Sequence, residues 1–331
     1  MKKKALCVGI DSYSNIQALA GCVNDAIAVA NVIGKNGDGS PNFSVKQLTS
    51  NNSTVDSATL QRAIEELFTG DAETALFYFA GHGLINEVTN SGYILSQDAK
   101  QGSWGISLSD VLSLANSAYP KIKSTVILLD SCHSGQIGEV PSIANNQISV
   151  IGTGVTILTA CHRNASAVEL DGHGLFTSIL LDSLQGSSAD ICGRITPASV
   201  YAHIDQSLGP WEQRPVYKAN VQTFVTLREV APKVSLEILR RLPIYFQEPN
   251  HHYSLDPSYE PDRENVPEEI KKIPVNPEHV KIFKELQLCN RYGLVLPVDA
   301  EHMYFAAIYS KACKLTALGA HYRKLAQKNR I

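Results

Sequence analysis

The sequence predicts an α/β fold: a mostly parallel sheet flanked by helices on both faces, with a small, mainly helical C-terminal domain after it. Three observations carry this. Ala75–Ala80 and Val126–Leu129 are unbroken apolar runs, too short for helices, the first closed by Gly81, as in strands buried on both faces. Strand-like and helix-like segments alternate over residues 5–228, the helix-like ones about 10–15 residues long. The composition then shifts after Pro232, where Pro249, Pro257, Pro261, Pro267, Pro274 and Pro277 gather among acidic residues.

Taken in order, Lys4–Ile10 reads as the first strand and Val23–Ile33 as an amphipathic helix ended by Gly34. Val45–Leu48 is a short strand. Thr54–Phe68 is a helix with Ser53 or Thr54 as its N-cap and Gly70 beyond its end. After the strand around Leu76, a helix at Leu108–Ala118 is stopped by Pro120. Strands follow at Val126 and Val155–Thr159, helices at Leu175–Leu184 and Pro197–Leu208, and a last strand at Val221–Leu227. The expected organisation is an α/β domain at 1–231, a Pro-rich connecting segment at 232–277 and a helical region at 278–331. The last carries helices at Pro277–Leu288, Ala300–Lys314 and Thr316–Lys328.

The bulk properties exclude several classes. The 331 residues carry a net charge of −3, which leaves no global field for nucleic acid or anionic membranes. No apolar run approaches the roughly 20 residues needed to span a bilayer, and the basic start Met1–Lys4 lacks a signal-peptide core. The seven cysteines are scattered without C-x-x-C spacing, which fits free thiols in a reducing cytoplasm.

The two buried runs each deliver a polar motif to one rim. The first ends in Gly81-His82-Gly83, the second in Asp130-Ser131-Cys132-His133. In an open α/β sheet the reactive crevice lies beyond the carboxyl ends of the strands. An imidazole beside an exposed thiol makes a nucleophilic pair, because cysteine reacts as the thiolate and a neighbouring base supplies it.

Together with Val8-Gly-Ile-Asp-Ser-Tyr13, Gly21-Cys-Val-Asn-Asp25, Thr159-Ala-Cys161, Gly174-Leu-Phe-Thr177 and Gln213-Arg-Pro215, these motifs stand in the order found in caspase-like cysteine peptidases. The chain resembles the metacaspase and bacterial branch of that family over roughly residues 4–228. The resemblance implies Cys132 as nucleophile, His82 as general base and acid, and the N–H groups of Gly83 and Cys132 as an oxyanion hole. It also implies that Asp25 and Asp130 line the pocket for the residue before the scissile bond and select Arg or Lys. Trp211 is expected to wall the substrate groove.

Other candidates carry less. His133 directly follows the nucleophile and has a supporting role at most, and His173 reads as a loop residue ahead of a helix. Asp98 and Asp110 stand where metacaspase calcium ligands come from, but Ser109-Asp110 offers one carboxylate where the family has an adjacent pair. No metal site and no required cofactor is therefore expected. Cys7 and Cys161 read as core residues, and His251-His252 has no zinc spacing.

Two inferences concern control. No Lys or Arg occurs from Ser124 to His162, so an enzyme selecting basic residues cannot cut itself in the loop Gly135–Gly154, where caspase-type chains are commonly processed. The enzyme is expected to work as a single chain, switched by its C-terminal region. There Arg291, Tyr292, His302, Tyr304, Tyr309, Tyr322 and Arg323 could hold an anionic, nucleotide-like activator by charge and stacking, with an activating protein as the other expected partner. Protein substrates are expected; membrane and nucleic-acid partners are not. The resemblance suggests an effector of bacterial stress or anti-phage defence that leads to cell death. The competing class is a catalytically silent scaffold, and a second enzymatic one is transpeptidation, with an amine rather than water capturing the acyl-enzyme.

Overall fold

A computed structural model describes residues 2–86, 91–131, 151–160, 169–170, 172–209, 214–264 and 266–331. The chain divides into two compact units, one of residues 1–189 and 193–231, the other of 190–192 and 232–331.

The first unit begins with β1 (Lys3–Gly9), α1 (Cys22–Ile33), β2 (Ser44–Thr49), α2 (Ser57–Leu67) and β3 (Thr74–Ala80). Next come β4 (Gly83–Asn86), β5 (Ser91–Lys100), β6 (Ser103–Ser107), α3 (Leu108–Ser117) and β7 (Ser124–Asp130). The unit closes with β8 (Val155–Thr159), β9 (Glu169–Leu170), β10 (His173–Gly174), α4 (Leu175–Asp182), β11 (Arg194–Ile195), α5 (Pro197–Ser207), β12 (Val216–Asn220) and β13 (Arg228–Glu229).

The main sheet has the order β12-β8-β7-β3-β1-β2, parallel except for β12. Every residue of β3 is buried, so its alternating side chains feed two cores. Phe77 and Phe79 join Leu60, Ile64 and Val111 from α2 and α3 on one face. Leu76 and Tyr78 join Val29, Ile33, Leu180 and Val200 from α1, α4 and α5 on the other. This is the mostly parallel sheet with helices on both faces that the apolar runs predict.

The details differ in three places. The N-cap of α2 is Asp56, whose carboxylate accepts the Thr59 N–H at 2.8 Å, rather than Ser53 or Thr54. The last strand of the sheet is Val216–Asn220, not Val221–Leu227. It is an edge strand with two exposed residues and therefore lacks an apolar signature, whereas Phe224 is 66% exposed. A small antiparallel sheet, β4-β5-β6, fills the span after the Gly-His-Gly motif, where no strand was expected.

The second unit contains α6 (Leu236–Tyr245), β14 (His252–Ser254), α7 (Glu268–Lys271), α8 (Pro277–Arg291), β15 (Val295–Val298), α9 (Met303–Ile308), β16 (Ala312–Leu315) and α10 (Ala317–Gln327). The expected connecting segment 232–277 and helical region 278–331 share one core, in which Leu239, Leu242 and Phe246 pack with Phe283, Leu286 and Val295. The unit is also not purely helical. The helix expected at Ala300–Lys314 is the short α9 followed by β16, which forms the centre of an antiparallel sheet between β14 and β15. Ser310, at φ 50°, turns the chain between them. Among the described residues no helix is long and apolar enough to cross a membrane.

Candidate active site

Strands β1, β3 and β7 end level with one another: Gly9 pairs with Ala80, and Ala80 with Asp130. The three segments that leave them therefore start from one rim. The first, after β1, supplies supports. Asp11 accepts the N–H groups of Cys22, at 2.8 Å, and of Val23, capping α1, whose own N-cap Gly21 has no side chain to do so. Tyr13 presents its hydroxyl to the backbone N–H of His82 at 2.8 Å, and the two rings lie 4.9 Å apart. A Cβ on Gly81 would stand 2.7 Å from that hydroxyl, so glycine at this position lets Tyr13 reach the chain.

His82 Nε2 lies 2.8 Å from the Gln17 carbonyl oxygen. A carbonyl only accepts, so Nε2 carries the hydrogen, and in the neutral ring Nδ1 holds the lone pair. The ring is thereby fixed in one tautomer with Nδ1 as its basic nitrogen. Gly83 follows at the start of β4. The His82 carbonyl accepts the Leu95 N–H at 3.0 Å, and Gly83 is paired with Ile94. Antiparallel pairs alternate between bonded and non-bonded, so the Gly83 N–H points away from β5. Cys132, the predicted nucleophile, lies outside the described residues, as do Trp211, His133 and Cys161; Ser131, which precedes Cys132, is buried at the end of β7.

Asp25 and Asp130 are brought together. A Cβ on Gly174 would lie 2.9 Å from Asp130 Oδ2 and 3.4 Å from Asp25 Oδ2, so both carboxylates close on the same glycine. Asp25, in the first turn of α1, accepts His173 Nδ1–H at 2.6 Å and the Gly174 N–H at 3.3 Å. Burial pushes its carboxyl up to about 6. The hydrogen bonds from His173 and Gly174 oppose that rise, and the charge of Asp130 adds to it. Asp130 accepts the Thr177 hydroxyl at 2.6 Å, and Thr177 in turn lies 2.6 Å from the Tyr78 hydroxyl. Because Thr177 spends its hydrogen on the carboxylate, Tyr78 is the donor to Thr177. The result is a buried relay ending on Asp130.

Sequence reasoning missed His173, read as a loop residue, and Tyr78 and Gln17 altogether. Gln17 acts through its backbone and leaves no side-chain signal. Tyr13 and Thr177 stand within two of the recognised motifs, which gave no hint of their contacts.

The remaining candidates are placed elsewhere. Asp98 accepts the N–H of Ser57, the first residue of α2, and Asp110 lies in the first turn of α3. Among the described residues no three His, Cys, Asp or Glu side chains gather as metal ligands. In the second unit the expected ligand cluster is divided. Arg323 is 5% exposed and gives its guanidinium to the Phe246 and Gln247 carbonyls, while Tyr322 packs in the core and its hydroxyl accepts the Ile191 N–H. Both are structural, because α10 turns its basic-aromatic face inward at these positions. His302 and Tyr309 remain exposed and each stacks with Phe305, next to the half-buried Tyr304, while Arg291 and Tyr292 end α8.

A buried parallel sheet with a tautomer-fixed imidazole at its rim and a cysteine two residues beyond the neighbouring strand is the framework of a cysteine-peptidase-type domain. The caspase domain family model matches residues 2–226, and the chain belongs to that family. Among solved structures, a crystal structure of a protein from Geobacter sulfurreducens is similar with a TM-score of 0.52 and 14% identity, covering 70% of this chain and 98% of that one. A structure of pro-Sf-caspase-1 aligns with a TM-score of 0.46 and 12% identity over 68% and 94% of the two chains. The first likeness is one of fold. No curated protein sequence matches the chain.

Proposed function

We propose that the chain is a cysteine endopeptidase that cleaves after Arg or Lys, with Cys132 as nucleophile and His82 as its base. The observation that supports the specificity is the convergence of Asp25 and Asp130 on Gly174. Two carboxylates in one enclosed place favour a residue that brings a positive charge and several donors. In the reaction, His82 takes the thiol proton and the Cys132 sulfur attacks the peptide carbonyl. The carbonyl oxygen becomes an anion facing the Gly83 N–H. His82 then gives the proton to the departing amine, leaving an acyl-enzyme. A water, deprotonated by His82, releases the acid and restores the thiol.

The second unit, 232–331, is the proposed regulator, answering a nucleotide-like or protein activator, and the biological role suggested by the family resemblance is an effector in stress or anti-phage defence. The enzyme works as an intact chain, because residues 135–154 offer no Lys or Arg. The test is cleavage of fluorogenic peptides bearing Arg, Lys or Asp before the scissile bond, by wild type and Cys132→Ala, with and without extract of stressed cells. Arg or Lys cleavage that Cys132→Ala abolishes supports the reading; activity only with extract assigns an activator. Cys132-dependent cleavage after Asp refutes the acidic pocket. Activation accompanied by a cut within 135–154 refutes the single-chain enzyme.

A further inference from the structure

Asp25 is the enclosed member of the acidic pair. Its side chain is 3% exposed, while that of His173 is 28% exposed, so the imidazole is the solvent-side half of the contact. Both Asp25 oxygens are in use, Oδ1 by His173 Nδ1–H and Oδ2 by the Gly174 N–H. Asp130 is half-buried and already receives the Thr177 hydroxyl. A guanidinium or ammonium arriving from solvent therefore meets an Asp25 whose Oδ1 is already held by the more exposed ring donor. The contact at 2.6 Å is the one a substrate cation would make.

We propose that His173 sets the specificity of this pocket as a resident occupant: it holds Asp25 in the resting enzyme, and an Arg or Lys of the substrate binds by displacing it. This rests on the reading of Asp25 and Asp130 as the basic-residue pocket. The displacement has a physical consequence for selection. A neutral side chain that pushed the imidazole aside would leave a buried carboxylate without its partner, which is costly. A cation restores the lost interaction. The occupant thus costs a cation some affinity and a neutral residue far more, which sharpens the choice between them. The local chain suits such a movement. β10 is two residues long, pairs with β9, and is preceded by Gly172 at φ 80°, where among the described residues nothing lies within 4 Å of the place a Cβ would take.

The test uses the full chain and two substitutions with opposite expectations. His173→Gln keeps an N–H donor for Asp25 but cannot carry charge. His173→Lys tethers a permanent ammonium in the pocket. Benzamidine, a guanidinium-like probe that needs no turnover, is titrated calorimetrically into wild type and both variants, and KM and kcat are measured for an Arg peptide. Displacement predicts that benzamidine binding tightens at least threefold in His173→Gln, with KM falling in parallel, and weakens at least tenfold in His173→Lys. The same comparison on an Asp25→Asn background should show no effect of His173→Gln. Unchanged or weaker benzamidine binding by His173→Gln, or wild-type binding by His173→Lys, overturns the proposal and leaves the pocket reading standing. If no variant binds benzamidine and wild type cleaves after neither Arg nor Lys, the pocket reading itself is lost, and this inference with it.

Discussion

Thr177 offers a stringent check on the acidic site, because one hydroxyl there serves two buried partners. Thr177 and Tyr78 are both 0% exposed, and the relay from Tyr78 through Thr177 to Asp130 has two contacts of 2.6 Å. Thr177→Val keeps the shape and removes the hydroxyl. The lost hydrogen bond to a carboxylate contributes about 1.5–3 kcal/mol, and the orphaned Tyr78 hydroxyl costs about 1–3 kcal/mol more. Allowing for relaxation, the variant should lose about 3 kcal/mol. Tyr78→Phe removes only the outer, neutral hydrogen bond and should lose about 1 kcal/mol, leaving the donation to Asp130 intact. The double variant has no orphaned hydroxyl and should recover about 1 kcal/mol relative to Thr177→Val alone. Urea unfolding followed by tryptophan fluorescence reads these values in the first unit, because Trp104 lies in its strand β6. A Thr177→Val loss under about 1 kcal/mol, or a double variant less stable than Thr177→Val, would refute the relay.

Three other predictions follow from the same contacts. The Asp25 carboxyl is raised by burial to about 6, above the ordinary value near 4, so it holds its proton through that window and becomes the anion a basic residue needs only as pH rises past it. The ratio of kcat/KM for Arg over citrulline peptides should climb through about pH 6 and flatten in Asp25→Asn. Taking the ratio cancels the ionisation of the Cys132–His82 pair, and the same shift makes Asp25 cost stability as pH rises from about 4 to about 6. Tyr13→Phe removes the acceptor of the His82 N–H, a loss of about 1 kcal/mol that should appear as a roughly fivefold drop in kcat with KM little changed; a change confined to KM would argue against a positioning role. Arg323→Ala strips two carbonyls of a buried partner and should destabilise the second unit by about 2–4 kcal/mol, seen as early loss of amide protection in residues 232–331 while the first unit stays protected.

The centre of the fold was legible because it is chemically extreme. Strands β3 and β7 are nearly all buried, and such strands read as unbroken apolar runs whatever surrounds them. The motif residues at their ends were legible for the same reason, since the strand ends fix where they must emerge. The edge strand β12 has half-exposed and exposed residues and looks like a loop, while the adjoining Val221–Leu227 looks like a strand and is not one. In the second unit, the run of prolines reads as a separator between domains, but it is not one. Pro257 is buried and opens a short 3₁₀ turn, and Pro277 is the first residue of α8, where a missing N–H costs nothing. The acidic pair was recognised by motif, but its neighbours were not, because His173 lies 148 residues from Asp25 in the chain.

The fixed tautomer of His82 depends on an oxygen of the main chain. No side-chain substitution at Gln17 deletes that oxygen, so an alanine scan would pass over one of the groups that orient the base. Only a change in the path of residues 11–21 can remove it, by proline, insertion or strain. The same stretch holds Asp11, which caps the helix carrying Asp25, and Tyr13, which holds the chain at His82. The proposed base and the proposed pocket thus both lean on the connection between β1 and α1. On the proposed reading, a partner or signal that displaced this connection would disturb the proposed base and the proposed basic-residue pocket together, without touching either.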